Sequence, residues 1–200
     1  MTRLLAALLL LGSVLLLAAS AVHPILPLTG PGDLALIAAT PHWALVHYTL
    51  LHATGLIIAG IWAVWLDARR EARPALTAAC AILAIGEALN GVNIAYMTGA
   101  GTLLAAAPAS PDLALTYQAM HQFAVMCGRL AGFLVALAGA AFALATRQSA
   151  PRPLTGLAWL ACGAGLVGNF LAPPGHPLML TSVGVMAAWQ AAMAWRVLRG

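Results

Sequence analysis

The chain has 200 residues, of which 62% are hydrophobic and only 7% are charged. A soluble domain with that balance would leave large apolar patches in water, so we expect the bilayer to be its solvent. The net charge of +4 comes from scattered arginines without interleaved aromatic residues, which argues against a nucleic-acid partner. The stretches between apolar runs are too short for a separate soluble domain, so residues 1–200 form one integral membrane domain.

Six apolar runs are long enough to cross about 30 Å of hydrocarbon as helices. In chain order they are Leu4 to Val22, Trp43 to Leu66, Pro74 to Met97, Leu113 to Thr146, Leu154 to Ala172 and Pro177 to Val197. The runs are continuous, whereas membrane strands alternate in polarity, and a helix satisfies its own backbone in lipid. The sequence therefore predicts an all-α, polytopic membrane helix bundle with six transmembrane helices.

The first run also has the features of a secretory signal. Arg3 precedes a leucine-rich stretch, and the small residues Ala19, Ser20 and Ala21 follow it. Cleavage there would leave five transmembrane helices and would not change the sides on which the other segments lie.

The arginines predict the orientation of the bundle. Eight of them flank the runs on one side: Arg3, Arg69, Arg70, Arg73, Arg147, Arg152, Arg196 and Arg199. Basic loops face the cytoplasm, so we expect an even number of crossings with both termini cytoplasmic, in a membrane of the bacterial cytoplasmic type.

Six histidines fall near the opposite ends of the runs and predict a histidine-lined polar region there. His23, His42 and His176 stand beside prolines or helix ends, which favours interfacial or capping roles over ligation. His47 and His52 lie on different faces, because five residues of helix turn about 140°. We therefore expect His47 and His121, with His52 as substitute, to bind haem b or a transition metal across a helix interface.

Besides the histidines, Glu87 and Arg129 are the ionisable residues that lie well inside the apolar runs, where such residues are rare and generally functional. Glu87 and Arg129 have similar expected depths, so we predict that they are in contact. Glu87, Asn90 and Asn93 repeat every three residues and form a polar stripe that leads outward. With the helix face that carries His121 and Arg129, this stripe is expected to line an outward-opening cavity. Arg129 could also neutralise a haem propionate.

The second and third runs carry the pattern Trp43-Ala44-x-x-His47, then Gly55, Glu87, Asn90 and Tyr96. This pattern resembles the membrane-bound styrene oxide isomerases. The resemblance implies that His47 is the axial ligand of a haem b whose ferric iron acts as a Lewis acid, and that Tyr96 positions the substrate. This chain differs from that family in two ways. Thr54 stands where the family has an asparagine, and six helices are predicted where the family has four.

Three functions follow as hypotheses, and whether the chain is an enzyme stays open. The first is a haem or metal protein that isomerises, or exchanges an electron with, a small apolar substrate or quinone. The second is a cofactor-free carrier or assembly subunit that uses Glu87 and Arg129 as a relay. The third is a cofactor-free enzyme in which Glu87, Asn90 and a histidine act as acid and base. Membrane lipid is the expected partner, and a homo-oligomer is compatible with the many small residues.

Overall fold

A computed structural model describes residues 1–26, 31–68, 70–173 and 176–200. Arg69, which contributes to the predicted orientation, lies outside the described residues. Residues 27–30 and 174–175, between the predicted runs, also lie outside them. Within the described ranges the regular structure is helical and contains no strand. The predicted all-α class is confirmed.

Six helical segments are long and apolar enough to cross a membrane, as predicted. They are Thr2–Ala21 (α1), Trp43–Asp67, Arg70–Ala106, Pro111–Thr146 (α7), Arg152–Leu171 and Pro177–Arg199 (α9). A seventh, Pro31–Ala39 (α2), has nine residues and is too short to cross.

Three of the six segments are subdivided. Trp43–Asp67 consists of Trp43–Gly60 (α3) and Trp62–Asp67 (α4). Arg70–Ala106 contains a 3-10 turn at Arg70–Ala72, the long helix Arg73–Tyr96 (α5), a π-turn at Met97–Gly101 and Thr102–Ala106 (α6). Arg152–Leu166 (α8) ends in a second π-turn, Val167–Leu171. The third segment therefore extends well beyond its predicted end at Met97, because the chain stays helical through Gly99 and Gly101.

The helices form a ring in chain order. Each of α1, α3, α5, α7, α8 and α9 packs against the next, and α9 returns to pack against α1. The first helix belongs to this ring, since Ala6 and Leu9 are fully buried. A Cβ at Gly60 of α3 would overlap the backbone of Leu9, so a glycine at this position lets the two helices approach closely.

The two ends of the ring differ. At one end, which we call the arginine-bearing end, Arg196 lies 4.0 Å from Asp67. The half next to it is packed with buried apolar residues, including Phe142 and Trp189, whose rings meet edge to face at 5.9 Å. The other end, which we call the histidine-bearing end, contains a cavity between the helices.

Candidate functional site

The cavity at the histidine-bearing end has a volume of about 230 Å³. Its polar lining residues are Ser20, His23, His47, Glu87, Asn90, Asn93, His121, Asn169 and Gln190, and the remainder of the wall is mostly aliphatic. The predicted stripe of Glu87, Asn90 and Asn93 therefore does face a cavity. A small molecule that is mainly apolar matches such a wall.

His47 lies in the first turns of α3 and is almost completely buried. Its Nδ1 donates a hydrogen bond to the carbonyl of Trp43, one turn earlier, at 2.9 Å. The Trp43 indole packs on the imidazole at 4.0 Å and donates from Nε1 to the carbonyl of Met97. These contacts fix the ring and leave Nε2 as the nitrogen available to another group.

That nitrogen faces a second histidine. The Nε2 atoms of His23 and His47 are 3.1 Å apart, and the rings meet edge to face. His23 follows α1 directly, and burial lowers its pKa below the usual value of 6.5, although a hydrogen bond to the Pro24 backbone opposes this. His23 stands at a helix end as predicted, but it also lines the cavity beside His47, which the prediction of an interfacial or capping role did not include.

His121 occupies the same cavity but has another partner. Its Nδ1 lies 3.3 Å from Oδ2 of Asp33, a carboxylate in the first turn of α2 that is only 1% exposed. Tyr117, one turn earlier on α7, packs against the His121 ring at 5.0 Å. The sequence analysis did not identify Asp33, which lies between the first two predicted runs. The available signal was the short apolar segment after Pro31 that carries a single acid.

Tyr96 supports His121 from the side and is not among the residues that line the cavity. Its hydroxyl donates to the Tyr117 carbonyl at 3.2 Å, and its ring stacks near His121 at 6.4 Å. A substrate-positioning role for Tyr96 therefore requires the substrate to reach beyond the cavity wall.

The other histidines are outside the cavity wall. His52 is exposed and uses Nδ1 to donate to the Tyr48 carbonyl at 2.7 Å, so it is not placed to substitute for His47. His42 is exposed just before α3. His176 accepts a hydrogen bond from the backbone N–H of Leu178 and caps α9, which confirms the predicted capping role.

The predicted contact between Glu87 and Arg129 is wrong. Glu87 Oε1 accepts a hydrogen bond from Gln190 Nε2 at 2.9 Å. Arg129 donates to the carbonyls of Phe170 and Ala172, each at 3.0 Å, and so caps the π-turn after α8. The prediction compared depths along two helices but took no account of direction around α7. The predicted relay therefore has no direct contact between its two groups, and the pairing of Arg129 with a haem propionate stays a prediction.

Among the described residues, no group of three or more His, Cys, Asp or Glu side chains is arranged to hold a metal ion. The His23 and His47 pair supplies two nitrogens. The predicted ligand pair, His47 and His121, shares the cavity, but each imidazole already has its own partner.

In comparisons with protein-family models, curated proteins and solved structures, no match was found. The geometry is therefore the basis for any functional assignment.

Proposed function

We propose that this chain is an integral membrane protein that binds a transition-metal ion between His23 and His47 and presents it to a small apolar substrate in the adjoining cavity. The observation that carries the proposal is the separation of 3.1 Å between the two Nε2 atoms. It keeps the predicted ligand His47 and replaces His121 by His23 as its partner.

The separation has the value expected for two ligands of one ion. Metal–nitrogen bonds of about 2.0–2.1 Å place two imidazole nitrogens about 3.3 Å apart at a tetrahedral angle and about 2.9 Å apart at a right angle. The axial nitrogens of a six-coordinate haem lie on opposite sides of the iron, about 4 Å apart by the same bond length. The pair therefore favours a metal ion over haem b.

The hydrogen positions also favour an ion. A neutral imidazole has one N–H, and His47 uses it on the Trp43 carbonyl. His23 has a backbone hydrogen bond to Pro24, where only the carbonyl can take part. If both hydrogens are used in this way, the two Nε2 lone pairs face each other. A bound cation turns this repulsion into attraction, and the carbonyl-bound Nδ1–H is the usual support for a histidine ligand.

Two protein ligands leave coordination positions open, which is typical of catalytic rather than structural sites. A bound ion would supply Lewis-acid or one-electron chemistry there. The positions of the arginines favour an orientation in which this site faces the outer side of a cytoplasmic-type membrane, with both termini inside. A quinone or another small apolar molecule would then reach the cavity from the bilayer.

The test is metal content. Protein purified in detergent and exposed to copper, zinc or iron salts is dialysed and analysed for metals, together with His23→Ala, His47→Ala and His52→Ala. We expect about one ion per chain in the unsubstituted protein and in His52→Ala, and loss of the ion in the other two variants. The His52 variant is a matched control, because it removes an exposed imidazole from the same helix.

The same samples distinguish the alternatives. A Soret band that shifts on reduction and disappears in His47→Ala would replace the ion by haem b. Folded protein that takes up neither metal nor haem would overturn the proposal. Zinc as the retained ion would indicate Lewis-acid chemistry, and copper or iron would indicate electron transfer.

The second candidate is a cofactor-free acid–base enzyme, favoured by the contact between Asp33 and His121. A carboxylate that holds one imidazole nitrogen leaves the other free to accept a proton from a substrate. Enzymatic activity that survives the removal of all metal ions by a chelator, but is lost in His121→Ala, would favour this candidate.

A further inference from the structure

The deep part of the cavity contains two buried oxygens that have no hydrogen-bond partner among the described residues. They are Oε2 of Glu87 and Oε1 of Gln190. We propose that these two atoms, the acceptor pair, bind the hydrogen-bond-donating head group of a small amphiphilic molecule whose apolar body occupies the rest of the cavity.

Both side chains belong to the cavity wall and are nearly inaccessible, with 2% exposure for Glu87 and none for Gln190. The bond from Gln190 Nε2 to Glu87 Oε1 holds the two groups together, so their remaining oxygens are presented from adjacent positions. Asn90 is close enough to interact with the same carboxyl group. Buried acceptors without donors are costly, which favours a bound group that supplies the donors.

The position lies deeper in the bundle than His47, which is four residues after the start of α3, a depth of roughly 6 Å at 1.5 Å per residue. Glu87 is nine residues before the end of α5, and Gln190 is thirteen after the start of α9. At 1.5 Å per residue, these are depths of roughly 14 and 20 Å from the histidine-bearing end. A molecule bound by the acceptor pair would therefore extend its body toward the histidines.

The wall around the acceptor pair is apolar. Leu50, Val135, Val183 and Met186 line the same cavity, together with glycine and alanine positions on α7. Gly132 is closely covered by Asn169, so a larger residue there would displace the amide. This combination of an aliphatic wall and a few converging polar atoms is typical of small-molecule sites.

Charge further defines the head group. The described cavity wall contains the Glu87 carboxyl group but no arginine, and Arg129 is bound to carbonyls. An ionised carboxylate in such a wall needs a cation. A neutral carboxyl group carries its hydrogen on Oε2, so it would donate to a hydroxyl head group, which in turn donates to Gln190 Oε1. The shared chemistry of the ligand is therefore a donor head group, which is either a protonated amine or a hydroxyl group.

The test uses four probes of similar shape: benzyl alcohol, benzylamine, toluene and methyl benzyl ether. The last two cannot donate a hydrogen bond. Equilibrium binding of radiolabelled probes to protein in lipid nanodiscs is measured, with empty nanodiscs subtracted. We expect benzyl alcohol or benzylamine to bind at least about fivefold more tightly than the two probes without a donor.

Variants locate the binding. Gln190→Leu and Glu87→Leu should each weaken the favoured probe at least about fivefold and leave toluene unchanged. Glu87→Gln keeps an acceptor without charge, so its loss of benzylamine binding identifies an amine head, whereas retained benzyl alcohol binding identifies a hydroxyl head. The control is Thr155→Val, which removes a buried, unpartnered hydroxyl outside the cavity wall.

Equal binding of all four probes, no binding of any probe, or binding that none of the variants changes would overturn the proposal. If Glu87→Leu does not fold, Gln190→Leu and Glu87→Gln carry the test alone. The proposal does not depend on the metal site, since removal of the metal by chelation should leave probe binding unchanged.

Discussion

The two halves of the helical ring are built from the same six segments but differ in what lies near the axis. In the arginine-bearing half, aromatic and aliphatic side chains such as Phe142, Trp189 and Met193 occupy the axis and border a void of only about 10 Å³. In the histidine-bearing half, the axis is occupied by a cavity with polar atoms in its wall. The comparison teaches that side-chain volume, more than the path of the helices, separates a packed core from a binding site in this bundle.

The halves should therefore respond differently to substitution. In lipid, helix association depends on close packing, because the lipid tails are as apolar as the side chains. Changes in the packed half should reduce stability without altering what binds. Changes in the cavity half should alter binding at a smaller cost in stability.

The largest expected loss of stability is in Phe142→Ala. Removing a fully packed aromatic ring that touches Trp189 leaves a void that the neighbouring helices cannot fill, at a cost of about 3 kcal/mol. Denaturant unfolding in detergent measures the loss. Leu144→Ala, which truncates a residue 57% exposed on the same helix, should change stability by less than about 0.5 kcal/mol. Similar losses in both variants would show that the half is not specifically packed.

Gly60→Ala should cost about 2 kcal/mol, because the added methyl group overlaps the backbone of α1 at Leu9. Gly55→Ala on the same helix meets nothing within 4 Å and should be neutral or slightly stabilising. Thermal unfolding followed by tryptophan fluorescence compares the two variants. Equal midpoints would contradict the close approach of α1 and α3.

In the cavity half, Asp33→Asn should cost about 1.5 kcal/mol, since it removes a charge-assisted contact with His121. Asp112→Asn alters an exposed acid in the first turn of α7 and should cost only a few tenths of a kcal/mol. The same unfolding assay applies. Metal content should be unchanged in both variants, because the proposed ion lies between His23 and His47.

The smallest expected effect is the pH dependence due to His23. Burial lowers its pKa in the folded protein, so below pH 6.5 the unfolded chain takes up more protons than the folded one. In protein freed of metal by a chelator, the free energy of unfolding should thus be highest above pH 6.5. It should fall as the pH decreases, by at most about 1.4 kcal/mol per pH unit from this group. His23→Asn should show a weaker fall below pH 6.5, and an unchanged slope would contradict this contribution.

Much of the fold could be predicted from the sequence, because hydropathy over twenty residues reports directly on membrane helices. All six segments were located, and both the polar stripe on α5 and the capping role of His176 were anticipated. Segment ends were less accurate. The chain stays helical from Met97 to Ala106 through two glycines, although the predicted third run ended at Met97.

The candidate site was predicted less well, since its contacts depend on segments distant in the chain. His23 contacts His47 from the residues that directly follow α1, and Asp33 contacts His121 from the short helix α2. Neither placement has a periodic signal. The wrong pairing of Glu87 with Arg129 has a related cause, since helical depth can be counted from sequence but the neighbour across an interface cannot.

The ring closes only when α9 packs against α1, and Gln190 is carried by that last helix. During synthesis, the cavity therefore lacks part of its wall until the final segment has entered the membrane. A chain stalled before α9 would expose the buried face of α1 and the carboxyl group of Glu87 to lipid. Such a chain would differ from the finished protein in a way that membrane quality-control proteases can detect.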